Sequence, residues 1–504
     1  MRAARSDSDV ENTMTRFSWL TELAAAEPEQ ALLISGARQW RAAEIHGELL
    51  RLKERLATCR VLGVLADNSP AWVLADLAAH EAGVVHLPLP GFFSPGQLRH
   101  ALEQTAADVV LTDQPERIGA LDLGFAIIGH WRGLTWMQRV VEPVALPAGT
   151  AKISFTSGST GAPKGVCLDG EGLIDTALAV RERLSDLPLR RHLAVLPLAL
   201  LLENVAGIYA PLLRGMAVHL PPLHALGWRG MAGFDPGALD AAARRTDASS
   251  MILVPELLKA WTAFLNISGS RPSAALSFVA VGGARVASEL LDEARQLGIP
   301  AYQGYGLTEG GSVLTLNRPG DDADDVGRPL QHAQISIAAG EVIVETRAFL
   351  GYLGSERGGG RQFATGDLGE FDAQGHLHLA GRRKNLLITS WGRNISPEWP
   401  EAALLADPRI FQAVVVGDGQ AALSAILVPM PGVSPSAIDL AVKGANETLP
   451  DYARIARWIP GEAFTAANGL ATGNGRPIRD RVAERYSSAI TALEPNEECP
   501  DVVL

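Results

Sequence analysis

Residues 155–165, FTSGSTGAPKG, place four hydroxyl side chains, three glycines and one lysine within eleven positions. Glycines let backbone N–H groups approach an anion, hydroxyls donate hydrogen bonds and Lys164 adds positive charge, so the composition suits phosphate. The loop is not of the Walker A type, because Lys164 is followed by Gly165 rather than by Ser or Thr. Three further stretches could carry chemistry. YQGYGLTEGG (302–311) is a glycine-rich turn ending in Thr308-Glu309, FATGDLGEFDAQGHLHLAGRRKN (363–385) holds Thr-Gly-Asp and then Gly381-Arg382, and NGLATGNGRPIRDRV (468–482) is a late glycine-rich loop.

These residues need a scaffold, and the sequence predicts one of alternating elements. VLGVLA (61–66), VVHLPL (84–89), DVVLTD (108–113), SMILVP (250–255) and LSFVAVGG (276–283) read as buried strands. Between them, SPAWVLADLAAHEAG and ELLDEARQLG space their apolar residues as helices do. Such alternation predicts α/β layers with mainly parallel sheet. GEVIVETRAF and GHLHLAGR alternate with period two and predict a small antiparallel unit before residue 381. Beyond AGRRKN the texture changes to that of a separate α+β domain, with IFQAVVVGD and SAILVPM as strands and PSAIDLAVKGANETL as a helix.

The 504 residues exceed what one core organises, so at least two domains are expected. A net charge of −12 argues against nucleic acid as the main partner. Cys59, Cys167 and Cys499 lie far apart without CxxC spacing, which fits a reducing compartment and supports neither a disulfide scaffold nor a zinc site. No apolar segment opens the chain, and the apolar stretch 192–213 is broken by Pro197, Glu203 and Asn204, so a cytoplasmic location without a membrane span is expected. Only six lysines stand against 38 arginines. The acidic run DDADD (321–325) reads as a solvated loop. His376 and His378 share one face of a strand, but no third ligand is visible nearby in sequence, and the reading is against a metal site. Cys167 has no partner base in view, and a catalytic thiol is not expected.

The four motifs, in this order and spacing, resemble the adenylate-forming acyl-CoA ligases, from about residue 30 to 490. The resemblance implies a large N-terminal ATP- and acyl-binding domain of layered α/β subdomains with a small β unit, 1–381, and a small mobile α+β C-terminal domain, 382–504. It implies a carboxylate attacking the α-phosphate of ATP to give acyl-AMP and pyrophosphate, then transfer to coenzyme A. Thr156, Ser157, Gly158, Ser159, Thr160, Gly161 and Lys164 would grip the β,γ-phosphates, Thr308 the α-phosphate, and Glu309 would hold Mg²⁺. Gly283, Ala284, Gln303, Gly304, Tyr305 and Gly306 would surround the adenine, with Asp367 and Arg382 on the ribose. Lys384 falls at the hinge between the two steps, and Gly392 would line the thiol tunnel.

Two departures bear on mechanism. Where the family carries a lysine in the late loop, this chain has Arg476. That substitution is either loss of adenylation or a functional swap in an arginine-biased chain; the intact ATP and metal motifs favour retained activity. Arg keeps the charge but presents a larger planar head than Lys, and the neighbouring Arg479 reads as structural. In LPLALLLENV (196–205), Leu200 stands where long-chain ligases have a histidine or aromatic residue. Leu200 with Gly282 and Gly304 predicts an aliphatic acyl pocket, and hence a medium- or long-chain fatty acid. The alternatives are an acyl-AMP ligase loading an acyl carrier protein and a non-catalytic adenylate-binding protein.

Overall fold

A computed structural model describes residues 18–156, 163–229, 233–321, 325–355, 360–390, 393–472 and 475–491. The runs read as buried strands form Val61–Leu65, Val85–Pro88 and Val109–Thr112, with every residue buried. They pair in parallel at the middle of an eight-stranded sheet, flanked by Thr150–Thr156 and antiparallel edge strands. Strands covered on both faces need no polar alternation, which is why their sequences are nearly continuous in apolar residues. A nine-stranded sheet holds the parallel run Ala301–Tyr305, Phe278–Val281, Ser250–Leu253, Arg191–Leu193 and Ala217–His219. The helix Pro70–Ala82 starts at an N-cap where the Trp72 backbone N–H donates to Ser69 Oγ, and it is buried from Pro70 to His80. One apolar core joins this helix to strands of both sheets, through Trp72, Leu74, Leu33, Val218, Val64 and Leu168. A helix enclosed on all sides is apolar all round, and this one is rich in alanine and leucine.

The chain divides into two compact units, Met1–Leu379 and Ala380–Leu504. The small antiparallel unit predicted from period-two alternation is a four-stranded sheet of the large unit, in the order Ala333–Ala338, Glu341–Thr346, Gln362–Phe371 and the strand that begins at Leu377. The small unit holds three strands, Ile410–Val416, Leu423–Pro429 and Ile455–Pro460, with helices Glu398–Ala406 and Pro435–Glu447. The architecture is the expected one, a large layered α/β domain followed by a small α+β domain. No helix among the described residues is long and apolar enough to cross a membrane.

Sequence reading missed a buried polar knot in the large unit. Lys152, on the strand that leads into the phosphate loop, is 2% exposed and places Nζ 2.9 Å from Asp76 Oδ1. Asp76 Oδ1 is also 2.6 Å from His86 Nδ1, while Asp76 Oδ2 accepts from Asn204 Nδ2 at 2.7 Å and from the Tyr209 hydroxyl at 2.8 Å. Lys152 Nζ also donates to Asn204 Oδ1 and to Tyr209 Oη. Asn204 and Tyr209 lie on the π-helical turn Glu203–Tyr209, whose i→i+5 repeat brings residues five apart toward one face. Against the penalty of burial, the Lys152 charge and the contacts from His86 and Lys152 hold the Asp76 carboxylate ionised, well below the usual carboxylate range. A compact ammonium fits among these groups, which explains a lysine in a chain that otherwise prefers arginine.

Lys152→Met should therefore cost about 3–5 kcal/mol, because it leaves a buried carboxylate without its cation. The effect is read as a lower urea midpoint, partly restored in the Asp76→Asn/Lys152→Met double variant. Lys152→Arg should not match the wild type. A Lys152→Met protein as stable as the wild type would refute the assignment.

Candidate active site

The phosphate loop joins two antiparallel strands, Thr150–Thr156 and Lys164–Asp169, with Thr156 paired to Lys164. Ser157, Gly158, Ser159, Thr160 and Gly161 lie outside the described residues. At the described rim, Lys164 is exposed and its Nζ lies 5.8 Å from the centre of the Tyr352 ring. Tyr352 ends the strand Phe349–Tyr352, which pairs with Lys164–Asp169 on the side opposite Thr150–Thr156. Its hydroxyl donates to Glu309 Oε1 at 2.8 Å. Burial and the Glu309 charge push the Tyr352 hydroxyl above its ordinary pKa, so it remains a donor. Tyr352 thus links the loop lysine to the carboxylate read as the metal ligand. No sequence motif pointed to it, because the link depends on a strand pairing across the sheet edge.

Glu309 lies in the 3₁₀ turn Thr308–Gly310, together with Thr308, just beyond the strand Ala301–Tyr305. A half-buried carboxylate with one oxygen oriented by a tyrosine suits one position around Mg²⁺, a hard cation that prefers oxygen ligands. Gly306 is dictated by packing: a Cβ there would stand 1.7 Å from the Ser312 carbonyl oxygen.

Tyr305 and Asp367, 62 residues apart, meet through a 2.6 Å hydrogen bond from the tyrosine hydroxyl to Asp367 Oδ2. The Thr-Gly-Asp motif owes its geometry to a bulge. Ile343 pairs with Ala364, but Glu341 pairs with Leu368, so the Gln362–Phe371 strand takes two extra residues at this point. Gly366 supplies the positive φ of 77° that the bulge needs, and its N–H donates to Glu341 Oε1 at 3.0 Å. Thr365 Oγ1 accepts from the Asp367 backbone N–H at 3.0 Å and donates to the Val342 carbonyl. The Asp367 carboxylate is therefore delivered beside the Tyr305 hydroxyl on a preset backbone.

The remaining sequence-predicted residues divide. Gly283 and Ala284 are exposed at the end of the strand Phe278–Val281, with Gly283 at φ 87°. Leu200 is partly buried, and the leucine beside Gly282 is Leu202, whose Cδ2 would rest 3.6 Å from a Cβ built there. The Gln303 side chain is committed elsewhere, its buried Nε2 donating to the Asp325 carbonyl at 2.5 Å, which leaves only its backbone for the adenine. At Gly304 a Cβ would lie 2.8 Å from the Thr315 carbonyl, so this glycine also lets the adjoining strand approach. Glu203 is structural, accepting from the Leu196 N–H at 3.0 Å and sitting 3.0 Å from His192 Nε2. Burial pushes the Cys167 thiol up to about 11, in keeping with its exclusion as a nucleophile.

In the small unit, Arg382 and Lys384 are exposed, Lys384 within the 3₁₀ turn Arg383–Asn385, and Gly392 lies outside the described residues. Arg476 is exposed on a tight turn, where the Thr472 N–H donates to the Arg476 carbonyl at 2.8 Å. Arg479 is structural as expected: its guanidinium holds Glu401 through contacts of 2.5 and 2.8 Å.

Comparison with known proteins agrees with the fold and the family. The AMP-binding enzyme family profile matches residues 34–343, and that of the AMP-binding enzyme C-terminal domain matches 384–498. The chain belongs to the AMP-binding enzyme family, with the adenylate-forming fold. It is 27% identical over 438 residues to a feruloyl-CoA synthase of Amycolatopsis sp., covering 79% of this chain and 85% of that protein. It is also 27% identical over 523 aligned positions to a long-chain-fatty-acid–CoA ligase of Mycobacterium bovis, covering 84% of this chain and 86% of the relative. The fold matches O-succinylbenzoate coenzyme A synthetase from Bacillus subtilis, solved with ATP and magnesium ion, at a TM-score of 0.73 and 24% identity, covering 92% and 98% of the two chains.

Tyr305→Phe should lower AMP affinity about tenfold, since a hydrogen bond to a charged group contributes about 1.5–3 kcal/mol. Calorimetric titration with AMP checks this. Unchanged affinity would remove the Tyr305–Asp367 pair from the nucleotide site.

Proposed function

We propose that this chain is an AMP-forming acid–CoA ligase whose acid is an apolar, fatty carboxylic acid. The observation that carries the acid class is the aliphatic surrounding of Gly282, where a Cβ would rest 3.6 Å from Leu202 Cδ2, with Leu200 and Leu202 partly buried against apolar core. A wall of this kind supplies apolar area and no polar partner, so it accepts an alkyl chain and leaves a second charged group unpaired. The relatives support the acid–thiol ligase class and divide on the acid, since one is named for feruloyl and another for long-chain fatty acids. That division favours an aryl acid as the second reading.

In the proposed reaction the nucleotide is gripped at its two ends. Thr156 and Lys164 face the pyrophosphate end, where positive charge offsets the approach of a second anion. Asp367 accepts from the ribose hydroxyls, with Tyr305 alongside the base. Mg²⁺ on Glu309 would neutralise phosphate charge as the leaving group departs. The Tyr352 hydroxyl holds the Glu309 carboxylate in one orientation before the nucleotide arrives. Arg476 takes the place of the lysine that contacts the attacking carboxylate, and coenzyme A is the acceptor of the acyl group.

Three measurements test the reading. Pyrophosphate release is expected with ATP and straight-chain fatty acids from a graded panel. Release with aromatic acids alone would overturn the fatty assignment, and no release with any acid would overturn the enzyme. Addition of coenzyme A or a phosphopantetheinylated carrier protein, followed by mass spectrometry, should give the acyl-CoA; transfer to the carrier alone would overturn the acceptor. Arg476→Ala should slow pyrophosphate release about 100-fold, the scale for losing one charge-stabilising donor, with AMP affinity retained. Wild-type rates in that variant would free Arg476 of any role.

Tyr352→Phe should raise the KM for Mg-ATP about tenfold while leaving AMP affinity unchanged. An equal loss for AMP would mean that the tyrosine supports the fold rather than the metal ligand.

A further inference from the structure

The acidic run at 321–325 is not wholly solvated, contrary to the sequence expectation. Asp325 is 2% exposed, and residues 322–324 lie outside the described residues. Asp325 Oδ1 accepts from Asn317 Nδ2 at 3.0 Å and from the Gly327 N–H at 2.7 Å. Asp325 Oδ2 is buried with no hydrogen-bond donor among the described residues. The nearest nitrogen, His376 Nδ1, stands 3.3 Å away without making a hydrogen bond to it; a buried carboxylate oxygen left so is costly, and this one points to something that would satisfy it.

What surrounds it is a set of metal-ligating groups. The tip of the next hairpin brings Asp372, His376 and His378 to the same place. Asp372 Oδ1 accepts from the Gln374 and His376 backbone N–H groups at 2.9 and 2.8 Å, which turns Oδ2 toward the histidines. Asp372 Oδ2 is 3.5 Å from His378 Nε2 and 3.7 Å from His376 Nδ1, and His376 Nδ1 is 3.3 Å from Asp325 Oδ2. One ligating atom each from Asp325, Asp372 and His378 lie within 4.8 Å of one another. Tetrahedral zinc with bonds of about 2.0–2.1 Å separates its ligands by about 3.4 Å, close to the contacts seen here. The third ligand that sequence spacing failed to show comes from Asp372 and Asp325, the latter some fifty residues upstream.

We propose that Asp325, Asp372 and His378 form a binding site for one divalent cation of the zinc type, with His376 beside it as a further donor. Two carboxylates balance the dication, and imidazole shifts the preference from magnesium and calcium toward zinc. The cluster shares no residue with the proposed Glu309 site. Its position gives it a structural task. The Val326 N–H donates to the Leu377 carbonyl and the Leu377 N–H to the Gly327 carbonyl, so the cation would clip the hairpin to a loop already paired with it. The Asp325 carbonyl is also the acceptor of Gln303, which lies two residues before Tyr305, and the hairpin's first strand carries Asp367. Cation binding would therefore stiffen the two elements that present the Tyr305–Asp367 pair.

The test uses the full chain, stripped with a chelator, dialysed, and titrated with Zn²⁺ in competition with a chromophoric chelator. One equivalent is expected to bind with at least tenfold lower affinity in both Asp372→Asn and His378→Gln, and to raise the melting temperature of the wild type alone. AMP affinity in each variant checks that it has folded. X-ray absorption of the zinc-loaded wild type should show nitrogen and oxygen ligands with imidazole scattering, independent of how the variants behave. No bound equivalent, sulfur ligation, or wild-type affinity in both folded variants would overturn the proposal. His376, with Nδ1 3.3 Å from Asp325 Oδ2, would then be the group left to satisfy Asp325.

Discussion

The buried pairing of Lys152 with Asp76 is the constraint around which the large unit is arranged. An ammonium and a carboxylate removed from water are tolerable only if each is met by further polar groups at short range. Here those groups come from two other places in the chain: His86 on the neighbouring strand, and Asn204 and Tyr209 on the π-helical turn. Satisfying one charge thus ties the strand that ends in the phosphate loop to the helix Pro70–Ala82 and to the segment that follows Leu200–Leu202. The knot specifies one relative placement of these elements, since a shifted register would leave a buried charge bare. Apolar packing around Trp72 and Leu74 fills the space but could be repacked at smaller cost.

The candidate site uses the same economy on a smaller scale. Its side chains are held by the backbone beneath them. The two-residue bulge at Thr365–Asp367 aims one carboxylate, a 3₁₀ turn presents another at Glu309, and a third strand brings Tyr352 across to it. Each device depends on a neighbouring strand, so disturbing the sheet edge would reach the polar groups directly. Gly306 and Gly304 belong to this framework. They let the segments at Ser312 and Thr315 approach the strand that carries Tyr305.

The chemistry of the class leaves room for different acids, because the nucleotide-handling parts and the acid-contacting parts come from separate segments. In the proposed reaction the loop, Glu309, Tyr305 and Asp367 answer to ATP, while Leu200, Leu202 and Gly282 answer to whatever acid is joined to it. This separation accounts for relatives that share the family and are named for unlike acids.

Much of the fold was legible along the chain. Strands such as Val61–Leu65 and Phe278–Val281 are short apolar runs closed by turn residues, and the helix Pro70–Ala82 opens on Ser-Pro and closes on glycine. Those are local signals, written in neighbouring residues. The motif order also identified the family, because each motif is a contiguous stretch. By itself, then, the sequence determined the elements, their α/β class and the family to which the motifs belong. The tertiary structure alone decided which polar groups meet: Lys152 with Asp76, Tyr352 with Glu309, Gln303 with the Asp325 backbone, and Asp325 with the histidine hairpin. Those partners lie on different strands and helices, and sheet order, which no local period encodes, sets which of them come within hydrogen-bonding distance.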